Sequence, residues 1–131
     1  MVRAKILWQT TGMPTHSEQL WLALKSHEFV ARAARLGFQD GKPATYDLVS
    51  VPIHRLPNTD ASSDLLDIHT LAKADRIILG QATEKLARVV ADRIVAEHLQ
   101  IVTGAPVLRT ERLVHTDQGL PVEWRIRYVL P

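Results

Sequence analysis

The chain runs through one sequence of turn signals and apolar runs twice, and this repetition restricts its fold more than any other feature. Residues 2–10, VRAKILWQT, have the apolar and β-branched content of a strand. TGMPTHSEQLWLALKS stops that strand and opens a helix, with Thr15 and Glu18 at capping-box spacing and Ser17 as a rival cap. Leu20, Trp21 and Leu24 fall on one face of that helix. FVARAARLGFQDGKPATYDLVSVPI then reads as two strands about Asp40-Gly41, because glycine supplies a positive φ without strain. The second half repeats this order. RIILGQATEKLARVV is a long strand, bent or straight, and ADRIVAEHLQI is a helix with Asp92 as its cap. APVLRTERLVHTDQGLPVEWRIRYVL is another hairpin, turning near Gln118-Gly119. The two hairpins align: Val30, Arg32, Arg35 and Leu36 match Val107, Arg109, Arg112 and Leu113. After a turn longer by one residue, Gly41-Lys42-Pro43 matches Gly119-Leu120-Pro121, and Tyr46 matches Trp124.

Two β-α-β-β units of this kind join into one antiparallel sheet with helices packed on a face, an α+β fold with an internal pseudo-twofold. Two copies are too few for a solenoid. Between them lies HRLPNTDASSDLLDIHTLAKAD, read as a Pro/Asn loop and then a helix from about Ser63. Leu65, Ile68 and Leu71 or Ala72 give that helix its apolar side. No linker or low-complexity stretch divides residues 1–131, so one domain is expected.

Composition excludes several function classes. There is no cysteine, which removes disulfides and thiolate metal sites. No apolar run approaches the roughly 18 residues of a membrane span, and the N-terminus lacks the long apolar core of a signal peptide. A cytoplasmic protein is expected. The six histidines form neither a His-x-His pair nor a His-Glu-x-x-His motif, so no metal site is expected. No Gly-rich phosphate loop and no Gly-x-Ser-x-Gly elbow occurs, which leaves no cofactor and no catalytic residue to name. Trp8, Trp21 and Trp124 are assigned to the core. The net charge is +2, with 11 arginines against 5 lysines and no block of consecutive basic residues. That pattern does not describe a nucleic-acid surface. It does favour the planar fork that matches carboxylate or phosphate.

TGAPVLRTERLVHTDQGLPVEW resembles the signature hairpin of UTRA domains, the effector-binding domains of the HutC subfamily of GntR-type bacterial transcriptional regulators. The matching positions are Gly104, Pro106, Val107, Leu108, Arg109, Arg112, Gly119, Pro121, Val122, Glu123 and Trp124. EKLARVVADRIVAEHLQI is similar to the strand and helix that precede this hairpin in the family, and FVARAARLGFQDGKPATYDLVSVP to the family's first hairpin. The resemblance implies a chorismate lyase-like fold built from two related halves. It also implies a homodimeric, non-catalytic sensor of a small-molecule metabolite, with an anionic ligand among the options. DNA would be reached only through a winged helix-turn-helix domain, which this chain lacks. The alternative is an enzyme of the chorismate-lyase type. Arg127 stands where that enzyme's terminal-strand carboxylate is expected, which disfavours lyase chemistry.

The resemblance places the pocket between the sheet and the crossover, with Arg32, Ser62 or Ser63, and Glu123 as ligand contacts. By strict alternation Arg32 shares a face with Val30, Ala34, Leu36 and Phe38, and an arginine in that company must meet an anion or reach solvent. The competing role is a salt bridge with Glu123 or Glu111. Arg35, a further ligand-binding candidate, falls on the opposite face unless a bulge intervenes. Ser62 and Ser63, before a helix, would offer free N–H groups to an anion or simply cap the helix. Glu123 accepts from a ligand or pairs with a strand arginine. Arg109 and Glu111, two apart on one side of a strand, suit a cross-strand charge network, with ligand contact by Arg109 as the other role. Arg32 and Glu123 are expected to face one pocket from opposite hairpins.

Overall fold

The computed structural model describes residues 2–131. Strand β1 (Val2–Gly12) leads to helix α1 (His16–Trp21) and the hairpin β2 (Val30–Gln39) and β3 (Lys42–Pro52). A 3-10 turn over Ile53–Arg55 and helix α2 (Ile68–Ala74) make the crossover. Then come β4 (Leu79–Val90), α3 (Arg93–Leu99), β5 (Pro106–Thr116) and β6 (Pro121–Val129). The six strands form one antiparallel sheet in the order β1-β2-β3-β6-β5-β4. Each half contributes three neighbouring strands, and the halves meet at the β3–β6 seam. The duplication read from sequence is therefore the symmetry of the sheet.

Local signals set the helix starts. Thr15 caps α1 in a reciprocal capping box with Glu18, and Asp92 caps α3 by accepting from the Val95 amide. The helices cross over: α1 lies against β6, and α3 lies against β3. Each half thus covers the other's last strand, which ties the two halves into one core. On this paired-helix face, Val95, Ala96 and Leu99 of α3 pack on Ala34, Leu36, Tyr46 and Val107. Leu22, Leu24 and Val30 pack near Leu113 and Trp124. On the opposite, crossover face, Leu65, Leu66, Ile68 and Leu71 pack on Ala31, Ala33, Val49, Val51 and Val114. Arg55 clamps the assembly by donating to the carbonyls of Leu22, Ala23 and Pro121 at 2.6, 2.8 and 2.7 Å.

Three sequence expectations change. The crossover helix begins at Ile68, not Ser63, because Asp67 takes the capping role and accepts from the Thr70 amide. Helix α1 ends at Trp21, since Ala23 turns into the left-handed region at φ 51°. Leu20 and Trp21 consequently face outward, and Leu22 and Leu24 are the buried pair. Trp8 is also exposed, so Trp124 alone of the three tryptophans lies mostly inside.

Candidate functional site

Alternation sends every second side chain of each strand to the crossover face, and the register aligns them in rows. One row reads Arg35, Asp47, Arg127 and Thr110 across β2, β3, β6 and β5. The next reads Val49, Arg125, Arg112 and Glu84 across β3, β6, β5 and β4. Glu123 follows, opposite Val114. This end of the face is rich in guanidinium groups, beside an apolar end that the crossover covers.

Two carboxylates organise the arginines. Asp47 has no exposed surface. It accepts from Arg127 Nε at 2.6 Å and Nη2 at 3.2 Å, and from Arg35 Nη2 at 3.0 Å. Glu123, equally buried, accepts from Arg112 Nε at 2.8 Å and Arg125 Nη2 at 3.1 Å. Each buried anion is therefore shared by two cations, and the surplus positive charge faces outward. Arg127 is 38% exposed, and Arg35 and Arg112 are 26% exposed. The hydrogen bond to Asp47 holds the Arg127 pKa above its ordinary value against the opposing effect of burial. Burial pushes that of Arg125 down, against the pull of Glu123. Arg125 also donates to the Leu66 carbonyl, and its Nε is buried without a partner.

The crossover loop overhangs this surface. Asp60 accepts from the Ser62 amide at 2.8 Å and the Ser62 hydroxyl at 2.7 Å, and the Asp60 amide donates to Ser63 Oγ at 2.9 Å. The bonds from the Ser62 hydroxyl and amide, the hydroxyl foremost, lower the Asp60 pKa. Gln9 Nε2 ties the loop to β1 by donating to the Ser63 carbonyl at 3.2 Å. Between loop and sheet opens a cleft of about 390 Å³ lined by Arg35, Ser62, Ser63, Asp64, Gln9 and Ile6 among others. On the other side of the Asp47 position lies a cleft of about 240 Å³ lined by Glu84, Thr110, Arg112, Arg125 and Arg127.

The expected site residues divide between the two faces. Arg35, Ser62 and Ser63 come together at the larger cleft. Ser62 and Ser63 do so from a turn built on Asp60 and not from a helix start. Glu123 lies on the same face, with both oxygens engaged by arginines. Arg32 does not join them. It aligns with Ser50, and Ser50 with Trp124, so its row lies on the paired-helix face, whereas Glu123, the neighbour of Trp124, points to the crossover face. The single pocket expected for Arg32 and Glu123 is corrected by this register. Arg32 instead grips Glu18, with Nε to Oε2 at 2.8 Å and Nη2 to Oε1 at 2.6 Å. Ser50 donates to the same carboxylate at 2.6 Å. Burial alone would raise the Glu18 pKa, but Arg32, Ser50 and the Thr15 amide bring it below the ordinary value. Arg32 and Glu18 border a cavity of about 250 Å³ with Trp8, Leu48, Trp124 and Ile126. Arg109 is on this face too, opposite Tyr128, and meets Glu111 of its own strand at 3.3 Å, so the charge contact runs along the strand and not across it.

Asp47, Arg112, Arg125 and Arg127 were not among the expected site residues. Part of the signal was present: Arg125 and Arg127 are two apart on one strand and share a face by alternation. The position of Asp47 was hidden by a bulge between Gly37 and Phe38.

The family model of the UTRA domain matches residues 2–131. The HTH-type transcriptional regulator GmuR of Bacillus subtilis (strain 168) is 22% identical over 125 residues, which are 94% of this chain and 52% of that protein. The chain thus spans about half the length of the curated relative it matches. A GntR-family transcriptional regulator from Bacillus cereus shares the fold with a TM-score of 0.89 at 19% identity, covering 99% of this chain and 92% of that one. A structure described as the ligand-binding domain of a GntR-family regulator from Bordetella bronchiseptica superposes with a TM-score of 0.83 at 21% identity, covering 99% and 84%. A Streptomyces coelicolor regulator structure reaches 27% identity with a TM-score of 0.84, covering 100% and 90%.

Proposed function

This chain belongs to the UTRA domain family, and from that premise we propose that it is the effector-binding domain of a GntR/HutC-type bacterial regulator. The observation that carries the reading is the shared-carboxylate arrangement. Four arginines on one face divide two buried carboxylates between them, beneath a loop that presents the Ser62 and Ser63 hydroxyls. Such a surface suits a small metabolite with a carboxylate or phosphate group, because guanidinium N–H groups fixed by an internal anion need no reordering on binding. Arg35 and Arg127 take the anionic end, and Ser62 and Ser63 take its polar neighbour. Asp47 and Glu123 hold the arginines in place. Arg32 and Arg109 support the other face.

The same lock argues for binding over catalysis. The carboxylates beneath the arginines, Asp47 and Glu123, each accept from two guanidinium groups, which commits them to holding the arginines and leaves neither open to a substrate. The effector acts by population shift: it binds one arrangement of a homodimer better than another, and only that difference moves the equilibrium. DNA is contacted by a separate winged helix-turn-helix domain, in the cytoplasm. Among the described residues no helix is long and apolar enough to cross a membrane.

A thermal-shift screen of anionic metabolites tests this. A true effector at about 100 Kd adds roughly 2.7 kcal/mol of stability, and Arg35→Ala cuts that shift by about half or more. If no anionic metabolite stabilises the chain, or if Arg35→Ala and Arg127→Ala both leave the shift intact, the site is not this arginine face.

A further inference from the structure

On the paired-helix face two short helices stand on a six-stranded sheet and leave one row of it only partly covered. Glu18 of α1 is bonded to Arg32 and Ser50, which oppose one another on β2 and β3, and α3 packs on the row of Leu36 and Tyr46. Between those rows lies the row of Ala34, Leu48 and Ile126 on β2, β3 and β6. Ala34 contributes only a methyl group to it, and Leu48 and Ile126 are half-buried.

The register shift in β1 turns a tryptophan over this gap. Ile6 stands opposite Arg35 and Trp8 opposite Ala34, so Leu7 is the additional residue. Leu7 packs with the α3 cluster, and Trp8 borders the cavity of about 250 Å³ on the same face. Leu48, Ile126 and Trp124 supply further apolar walls, and the Arg32–Glu18–Ser50 cluster closes one side. Trp8 is 44% exposed, a large apolar surface left at the mouth of a cavity.

Trp124 identifies what the cavity lacks. Its Nε1 is buried and meets no hydrogen-bond acceptor among the described residues. An unpaired buried donor is costly, and native interiors contain few. The ring is held in place by Trp21, with centroids 6.3 Å apart, and by Leu22, Leu24 and Val30. The charged rim is already matched, since Glu18 accepts from Arg32 through both oxygens. An apolar cavity of roughly 150 Å³ accommodates a benzene ring, so this one admits a ring with a short substituent. We propose that the cavity is a second ligand site, separate from the arginine clefts, for a neutral molecule with one aromatic ring and a carbonyl oxygen that accepts from Trp124 Nε1. Trp124 lies between Glu123 and Arg125 on β6, whose side chains build the arginine face. The two sites therefore use opposite faces of one strand and do not compete for a ligand. The proposal does not rest on the regulatory reading.

Acetophenone, a ring with one carbonyl, is the probe, and ethylbenzene is its counterpart without an acceptor. The three tryptophans give three indole N–H signals in proton–nitrogen NMR spectra, and replacing each in turn by Phe assigns them. Acetophenone moves the Trp124 signal downfield in a saturable titration, and ethylbenzene does not move it downfield. Followed through the Leu48 and Ile126 amides, Trp124→Phe weakens acetophenone by about tenfold, the order of one hydrogen bond, and ethylbenzene much less. Trp8→Ala weakens both by about fivefold, the order of one aromatic contact. Trp8 is exposed on an edge strand, so that variant keeps its melting temperature and decides the matter even if Trp124→Phe fails to fold. The absence of a saturable shift at Trp124 overturns the proposal. So does an equal effect of Trp124→Phe on the two probes, an unchanged affinity in Trp8→Ala, or benzoate binding more tightly than acetophenone. A response confined to the Arg35 and Arg127 amides overturns it as well, because it puts the probe in the arginine clefts. The metabolite screen bears on none of these readings, so the two proposals fail separately.

Discussion

Arg127 of the last strand reaches across the seam between the two halves and holds Asp47 by two bonds, Nε to Oδ1 at 2.6 Å and Nη2 to Oδ2 at 3.2 Å. β3 and β6 belong to different copies of the repeat, so this pair is a charged joint between them. Removing the carboxylate leaves Arg35 and Arg127 without their anion on a partly buried face, and removing both charges together would be milder. Asp47→Ala is expected to lower unfolding stability by roughly 3–5 kcal/mol, the range for a broken buried pair. Urea unfolding at neutral pH measures this, and a loss below about 1 kcal/mol would mean the joint contributes little.

Arg35 gives the complementary result. Its loss leaves Asp47 with both bonds from Arg127, so the fold keeps most of its stability. The cleft beside Ser62 and Ser63 loses its cation. Arg35→Ala is expected to weaken binding of the effector found in the screen by more than about 1.5 kcal/mol. Calorimetric titration and urea unfolding on the same protein separate the two effects.

Arg32 behaves in the opposite way, because its partner is Glu18 and not a ligand. Arg32→Ala strands a carboxylate that is 3% exposed and is expected to destabilise by roughly 3–5 kcal/mol. Affinity per folded molecule stays constant. If affinity falls while stability holds, Arg32 belongs to a binding site on the paired-helix face.

The same cluster predicts a pH dependence. The Glu18 pKa in the folded chain lies below its ordinary value of 4.5. A carboxylate with a lowered folded pKa stabilises fully above its unfolded value and loses that contribution as pH falls through the folded value. The stability gap between the native chain and Glu18→Gln is therefore widest at neutral pH and narrows below about pH 4.5. A gap that widens on acidification would contradict the assignment.

Gly80 sits inside the register shift at the start of β4, where the chain passes close to β5. A Cβ there would lie 2.6 Å from the Thr116 carbonyl oxygen and 2.9 Å from its carbon. Backbone cannot yield as a flexible side chain does. Gly80→Ala is expected to cost about 1–3 kcal/mol, the range for overpacking, read as a lower urea midpoint. Gly119→Ala is strained for another reason, its φ of +84°, with nothing within 4 Å of the added carbon.

The duplicated β-α-β-β order, both hairpin turns and the caps Thr15 and Asp92 were legible in the sequence, because each depends on residues only a few positions apart. Alternation likewise separated Arg32 from Arg35 and assigned them to opposite faces. What the sequence could not determine was which charges meet. Near the first turn Gln39 pairs with Lys42 and Phe38 with Pro43, and that count carried onward would set Arg35 against Tyr46. The shift between Gly37 and Phe38 adds one residue and sets Arg35 against Asp47. The single inserted residue creates the Arg35–Asp47 contact, and nothing in the local pattern announces it. The crossover shows the same limit: Asp60, Asp64 and Asp67 can each close a local turn, and burial of Ile68, Leu71 and Ala72 made Asp67 the helix cap. The seam between β3 and β6, and with it the Arg127–Asp47 joint, exists only once the two halves pack. Local signals specify elements because their interactions lie within a turn or two of chain. The arginine clefts join residues from both halves, so tertiary packing alone decided which of them share a face and a carboxylate.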